Sequence, residues 1–257
     1  MKLSTCLVAY WTITRRELVR LFRIWKQTFL PPVIMQSLYF LVFGAFIGSQ
    51  IAPIHGVRYM AYIVPGLIMM AIINSSFMNV VFSFFSAKFQ RSIEELLMAP
   101  VTGRVMLAGY VSGGVLRGLI TGVLVACVSV LFARPPLVHP FAIVFFAVIT
   151  AVVFALGGFL NALFAKTFDD AGLFTTFVLT PLTYLGGVFY SIDRLPPFFR
   201  AVSHANPIVY MVDGFRYGFF GFSDTNPLIG AAILLGTATI LIVVNLRLLK
   251  SGYGLRT

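Results

Sequence analysis

Apolar residues in this chain gather into six runs separated by short polar connectors. A run of roughly 20 apolar residues in helical form crosses a hydrocarbon layer, and such runs are predicted at about 33–52, 60–85, 108–132, 140–164, 172–191 and 228–248. Residues 1–30 carry a different pattern. At 100° per residue, Leu7, Trp11, Leu18, Phe22, Trp25 and Phe29 share one face, and Arg16, Arg20, Arg23, Lys26 and Gln27 share the opposite one. This predicts an amphipathic helix in the membrane interface, with rings at headgroup level and arginines toward anionic lipid or an acidic partner surface. The pattern fits a lipid anchor and a protein-contacting helix equally. Pro31-Pro32 is read as ending this helix and turning the chain into the bilayer.

Between the fifth and sixth runs the pattern changes again. From Thr180 to Gly221 the chain stays aromatic and apolar, yet Asp193, Arg194, Pro196, Pro197, Arg200, Asn206-Pro207, Asp213 and Arg216 interrupt it. A loop living in water would be more polar, and a spanning helix would exclude this many charges. A pair of short amphipathic, re-entrant helices dipping partway into the membrane fits between these limits. The second of them starts after Asn206-Pro207 and places Ile208, Val212, Phe215 and Phe219 at helical spacing. An apolar loop packed on the bundle is the competing reading.

Composition supports the membrane assignment. Of 257 residues, 59% are hydrophobic and only 11% charged, with a mean hydropathy of +0.95, whereas soluble domains carry about 25% charged residues. The net charge of +11 would suggest nucleic acid in a soluble protein. Here it follows from the positive-inside rule: thirteen Lys and Arg fall at the N-terminal segment, the connectors after the second and fourth spans, and the C-terminal tail, against five on the other side. Both termini are therefore expected in the cytoplasm. Arg117, the remaining cation, is expected to snorkel from near the cytoplasmic start of the third span. Cys6 and Cys127 lie in different predicted helices and suggest neither a disulfide nor a metal site. No cleaved signal peptide is expected.

All eight acids are expected outside the hydrocarbon portion of the spans, which argues against an ion-coupled carrier built on a mid-membrane carboxylate. The spans offer neutral polar groups instead. Asn74 with Ser75, and Asn79 with Ser83, either line a path or hydrogen-bond neighbouring helices.

Two connectors on the cytoplasmic side carry mixed charge. Lys88, Arg91, Glu94 and Glu95 lie on a short helical stretch ending before Pro100, with Ile93, Leu96 and Leu97 as its apolar side. This is either a docking knob or a solvated connector. Lys166, Asp169 and Asp170 cluster in the turn before the fifth span, where an aspartate can also serve merely as a helix cap. No G-x-x-x-x-G-K-[ST] occurs, so an ATPase, if there is one, is another chain, and no cofactor is expected on this one. His55, His139 and His204 sit at bundle edges, and no H-E-x-x-H or G-x-S-x-G occurs, so no catalytic residues are assigned.

Several motifs together resemble the permease subunit of ABC-2 type transporters. They are Ile63-Val64-Pro65-Gly66, the segment AKFQRSIEELLMAPV (87–101), FAKTFDD (164–170), the span end P-L-x-Y-L-G-G-V-F-Y, then L-P-P and N-P-I-x-Y-x-x-D-G-F-R-Y-G. Together they cover most of the chain. Relatives of this kind are bacterial inner-membrane permeases, with nodulation-factor and polysaccharide exporters further off. The resemblance implies an all-α polytopic bundle of six transmembrane helices forming one domain over 1–257: an interface helix (1–30), spans one to five (33–191), a re-entrant outer gate (192–227), and the last span with its tail (228–257). It implies an exporter subunit that works as a homodimer with two ABC-type ATPase subunits carrying ATP and Mg. Lys88 to Val101 would be the main coupling helix, Lys166 to Asp170 a second coupling turn, and the helix bearing Arg16, Arg20 and Arg23 a third contact. Tyr184, Phe189, Tyr190, Pro207 and Arg216 would belong to the outer gate or path. Cargo would be small and hydrophobic or amphipathic, a preference that the aromatic residues Phe174, Phe177, Tyr184, Phe189 and Tyr190 suit without proving. A secondary carrier or channel independent of ATP is the alternative.

Overall fold

A computed structural model describes residues 3–99 and 101–254. Lys2, Pro100 and Arg256, which enter the readings above, lie outside the described residues. The chain is helical throughout, and no strand forms among the described residues beyond a one-residue bridge between Ile54 and Val57. The helices are α1 (Leu3–Arg23), α2 (Trp25–Tyr39, continued as a π-helix over Phe40–Ile47), α3 (Tyr59–Phe89), α4 (Ser92–Met98), α5 (Gly103–Ser129), α6 (Pro140–Phe164), α7 (Phe168–Phe174), α8 (Thr180–Tyr184), α9 (Pro197–His204), α10 (Pro207–Phe220) and α11 (Pro227–Ser251).

Among the described residues, five segments are long and apolar enough to cross a membrane: Trp25–Ile47, Tyr59–Phe89, Gly103–Ser129, Pro140–Phe164 and Pro227–Ser251. The axis of the bundle is α3, whose most apolar stretch is 83% buried, against 17% for those of α2 and α11. It packs along both α5 and α6. The sequence of α5 explains the close approach. Gly109, Gly113, Gly114, Gly118 and Gly122 form stripes of small residues that let neighbouring backbones in. A Cβ at Gly113 would stand 2.8 Å from Glu17 Cβ, so the glycine makes room for α1.

The start of α1, the end of α11, the α3–α4–α5 connector and the α6–α7 turn share one end of the bundle, called proximal below: Cys6 lies beside Gly103 and Leu249, and Lys88 reaches Ala165. The opposite, distal end carries the Ile54–Val57 turn and α9.

Two expectations change. The N-terminal helix does not run to residue 30 and stop at the prolines. It breaks at Ile24 (φ −113°, ψ 33°), and Pro31 and Pro32 lie inside α2. There they remove two interior donors, which leaves the Gln27 and Thr28 carbonyls without i+4 partners. The predicted fifth span is a chain of short pieces: α7, a π-helical turn over Thr175–Leu179, and α8, ending where Gly187 takes φ +73°. From Phe168 to Tyr184 this covers only about 25 Å at 1.5 Å per residue. All eight acids lie outside the five long apolar segments, as expected, although Glu17 in α1 and Asp213 in α10 are buried against the bundle.

The periodicity of α1 is partly realised. Leu7, Trp11, Phe22 and Trp25 are exposed while Phe29 is buried, and Arg16 and Arg23 are exposed on the other side. The face that docks on the bundle is a third one, made by Ile13, Thr14, Glu17 and Leu21.

Candidate functional site

The proximal end brings the two charged connectors together. Lys88 closes α3 from inside: it is buried, and its Nζ donates to the carbonyls of Ala162 (3.2 Å), Leu163 (3.2 Å) and Ala165 (2.7 Å). These are end-of-helix carbonyls of α6 that have no partner of their own. Lys88 is therefore a fixed joint between two helices, and its ammonium is not offered to the surface. After it, Arg91 takes a left-handed conformation (φ 58°), which turns the chain into α4. Ile93 buries against the bundle, while Glu94 and Glu95 are exposed on the first turn, and neither pairs with a cation among the described residues.

The second connector is built differently. Thr167 and Asp170 form a capping box at the start of α7: the Asp170 N–H donates to Thr167 Oγ1 (3.0 Å), and Asp170 Oδ2 accepts from the Thr167 N–H (3.0 Å) and the Lys166 N–H (3.2 Å). The bond from the Lys166 backbone, followed by those from Thr167, holds the Asp170 carboxyl below its ordinary pKa. Lys166 and Asp169 are exposed. Phe168 packs edge-on against Phe85 and Phe89 of α3, with ring centroids 4.8 and 5.1 Å apart. The two connectors thus meet through an aromatic contact and through Lys88.

A polar knot not anticipated from hydropathy joins α1 to α3. Glu17 Oε2 pairs with Arg20 (2.8 Å), its Oε1 accepts from the Ser83 hydroxyl (2.6 Å), and Arg20 Nη2 donates to Asn79 Oδ1 (3.0 Å). Arg20 is thus turned inward, unlike Arg16 and Arg23. Of the neutral polar pairs considered above, Asn79 and Ser83 bond a neighbouring helix, whereas Asn74 and Ser75 line a groove. The available signal was the i,i+3 pairing of a lone acid with arginine opposite the glycine stripe of α5.

At the distal end the predicted pair of short helices exists. Asn206 starts α10 by accepting from the Ile208 N–H (3.0 Å) and donates to the Leu182 carbonyl (2.7 Å). Ile208, Val212, Phe215 and Phe219 are all buried, since α10 packs against α3, α6 and α11. Asp213 accepts from the Asp224 N–H (3.0 Å) and from both the N–H and the hydroxyl of Thr225 (each 2.6 Å). Arg216, also buried, donates to the Gly187 carbonyl (2.8 Å) and lies 4.1 Å from the Tyr62 ring centroid. It clamps the Gly186-Gly187 turn onto the core. His55 Nε2 lies 3.4 Å from Asp224 Oδ1, linking the Ile54–Val57 turn to the same loop.

The five residues assigned to a gate or path therefore divide. Tyr184 and Phe189 stack (5.8 Å) and join α2 through the Tyr39–Tyr184 hydroxyl contact of 2.7 Å and the Phe43–Phe189 pair at 4.6 Å. Tyr190 and Pro207 line an apolar cavity of about 460 Å³ beneath α9, together with Phe198 and Phe199. Arg216 belongs to neither.

The arrangement is that of a membrane bundle with a rigid joint and exposed acids at one end. Comparison with known proteins agrees. The ABC-2 type transporter family matches residues 8–220. The inner membrane transport permease YadH of Escherichia coli is 53% identical over 251 residues, covering 97% of this chain and 98% of that protein. Nodulation protein J of Rhizobium leguminosarum bv. viciae is 22% identical over 228 residues (86% and 85%), and that of Rhizobium meliloti 24% over 235 residues (86% and 84%). With a match across most of its length and a full-length relative at this identity, the chain belongs to the ABC-2 type transporter membrane family.

Proposed function

We propose that this chain is the permease subunit of an ATP-driven exporter in a bacterial inner membrane, working as a homodimer with two copies of a separate ATPase. The proximal end faces the cytoplasm, in keeping with the distribution of lysine and arginine. The segmented α7–α8 rod is the sixth crossing element and fifth in order. The α1 helix lies in the interface, and α9 and α10 enter from the outer side as re-entrant helices. Cargo is small and hydrophobic or amphipathic.

The observation that carries this reading is the joint at the proximal end. ATP turnover can move a membrane path only if a stiff element passes on the motion of the ATPase. With α4 displaying Glu94 and Glu95 on a buried Ile93, rooted through Lys88 in α6 and through Phe168 in α7, a push on either connector reaches three helices. Arg91, Glu94, Glu95, Lys166 and Asp169 are the contact residues, while Lys88 and Asp170 hold the connectors in shape.

Reversing both Glu94 and Glu95 to Lys is expected to abolish co-purification of the ATPase while leaving the permease folded. Undiminished co-purification would remove α4 from the docking site. Cargo flux from the purified permease without ATPase or ATP would place the chain among secondary carriers or channels instead.

A further inference from the structure

A groove of roughly 400 Å³ opens between α2, α3, α5 and α8. Its distal end is closed by the Tyr39–Tyr184 contact, and Met35, Met70 and Met78 supply apolar wall. Near its proximal end lies Arg117. Far from the start of its span, Arg117 sits at the middle of α5, and its Nη2 reaches across to the Thr28 carbonyl at 3.5 Å. That carbonyl is one of the two freed by Pro31 and Pro32.

Arg117 is poorly matched by protein. Its Nε is buried without a partner, and among the described residues no carboxylate pairs with it. Snorkelling would carry the guanidinium to water, but its contact with α2 holds it at the groove. A second unmet group lies in the same lining: Gln36 is 5% exposed, and its Oε1 has no donor. A cation inside a spanning segment is costly unless a counter-ion meets it. Thr28 lies in the first turn of α2, so the guanidinium stands at the proximal mouth of the groove, with apolar wall running distally from it. Methionine is unbranched and adaptable, which suits a wall that meets flexible chains.

We propose that this groove binds an amphiphile with a phosphate or carboxylate head and an apolar tail, Arg117 pairing with the head and the methionine wall taking the tail. Arg117 is then the residue that selects anionic over neutral cargo. That the ligand is cargo rests on the permease reading; that it binds does not.

The test uses the full-length permease purified without ATPase in a neutral detergent, titrated calorimetrically with dodecyl phosphate. Saturable binding is expected, at least about tenfold tighter than for neutral dodecyl glucoside or for inorganic phosphate. Arg117→Gln should lose about tenfold, and Arg117→Lys should recover most of it. Competition by phosphatidylglycerol would identify a bilayer lipid as a source, and its absence a free amphiphile. Equal affinity of wild type and Arg117→Gln, or equal binding of the neutral glucoside, would overturn the proposal. Should Arg117→Gln fail to fold, Met35→Trp decides: Met35 is half exposed, and filling the wall there must weaken dodecyl phosphate, unchanged affinity counting against the site. Loss of ATPase docking in a separate experiment would leave this binding intact.

Discussion

The Ser83 hydroxyl donates to Glu17 Oε1 at 2.6 Å, tying the N-terminal helix to the central one through a carboxylate 3% exposed. Glu17 also neutralises Arg20, whose side chain is 35% exposed. Replacing Glu17 with Ala strands the Ser83 hydroxyl and part of the Arg20 charge. The expected loss is about 1–3 kcal/mol, short of the figure for a fully buried pair because water still reaches Arg20. Chemical denaturation in detergent checks this. A Glu17→Gln variant keeps the shape and an acceptor for Ser83, and is expected to fall between the two.

Lys88 gives a prediction that separates coupling from docking. Lys88→Met retains an apolar stem but leaves three α6 carbonyls without their donor, a loss of about 1–3 kcal/mol. Because Lys88 is not on the surface, the ATPase should still co-purify. Cargo-stimulated ATP turnover should fall severalfold, since α3 and α6 no longer move as one. Full stimulation in that variant would show that the joint is not needed to pass on the motion.

Gly66 follows Pro65 in the second to third turn of the central helix, and the Val188 backbone lies against it. A Cβ there would come within 2.5 Å of the Val188 carbonyl oxygen and 2.9 Å of its Cα. Both are backbone atoms, so the distal loop must shift. Gly66→Ala is expected to cost about 1–3 kcal/mol and to displace the Gly187–Tyr190 segment. Labelling at Tyr190→Cys, with and without the alanine, reports that displacement as a changed modification rate.

Asp170 sets a pH dependence at the start of α7. Its folded carboxyl titrates below the ordinary 3.8, so the capping box adds its full stabilisation above that value. The contribution fades as pH falls through 3.8 toward the lowered folded value. In a thermal scan between about pH 5 and pH 3, wild type should lose midpoint relative to Asp170→Asn. Parallel curves would mean that the box adds nothing to folding.

The five long helices could be read from the sequence because a spanning helix must be apolar over its whole length, and that leaves a strong signal. The Asn206-Pro207 start of α10 was equally clear, since an asparagine cap followed by proline has few other uses. The break at Ile24 was not, because nothing in the local residues outweighs the apparent stop at Pro31-Pro32; tertiary packing of α1 on Gly109 and Gly113 decides it. The burial of Glu17 leaves no local signal for a related reason. Hydropathy treats a carboxylate as solvent-seeking, whereas its serine and arginine partners make burial tolerable. Lys88 looked like a surface cation because its three acceptors lie more than 70 positions away. Arg117 is expected to snorkel on its distance from a span boundary, yet its helix begins earlier, at Gly103, and its side chain reaches across to the Thr28 carbonyl.

Two rods beside the Arg117 groove have a winding that α3, α5 and α6 lack. Phe40–Ile47 in α2 and Thr175–Leu179 before α8 are wound as π-helix, with an extra residue in each turn and weaker internal bonding than an α-helix has. Tightening either turn would shed that residue and rotate everything beyond it, Tyr39 and Tyr184 included, like a thread taken up by one notch. The α3–α5–α6 trio has no such slack and would stay still. Such a change of winding would act on the two rods beside the groove and leave the packing of the other three helices as it is.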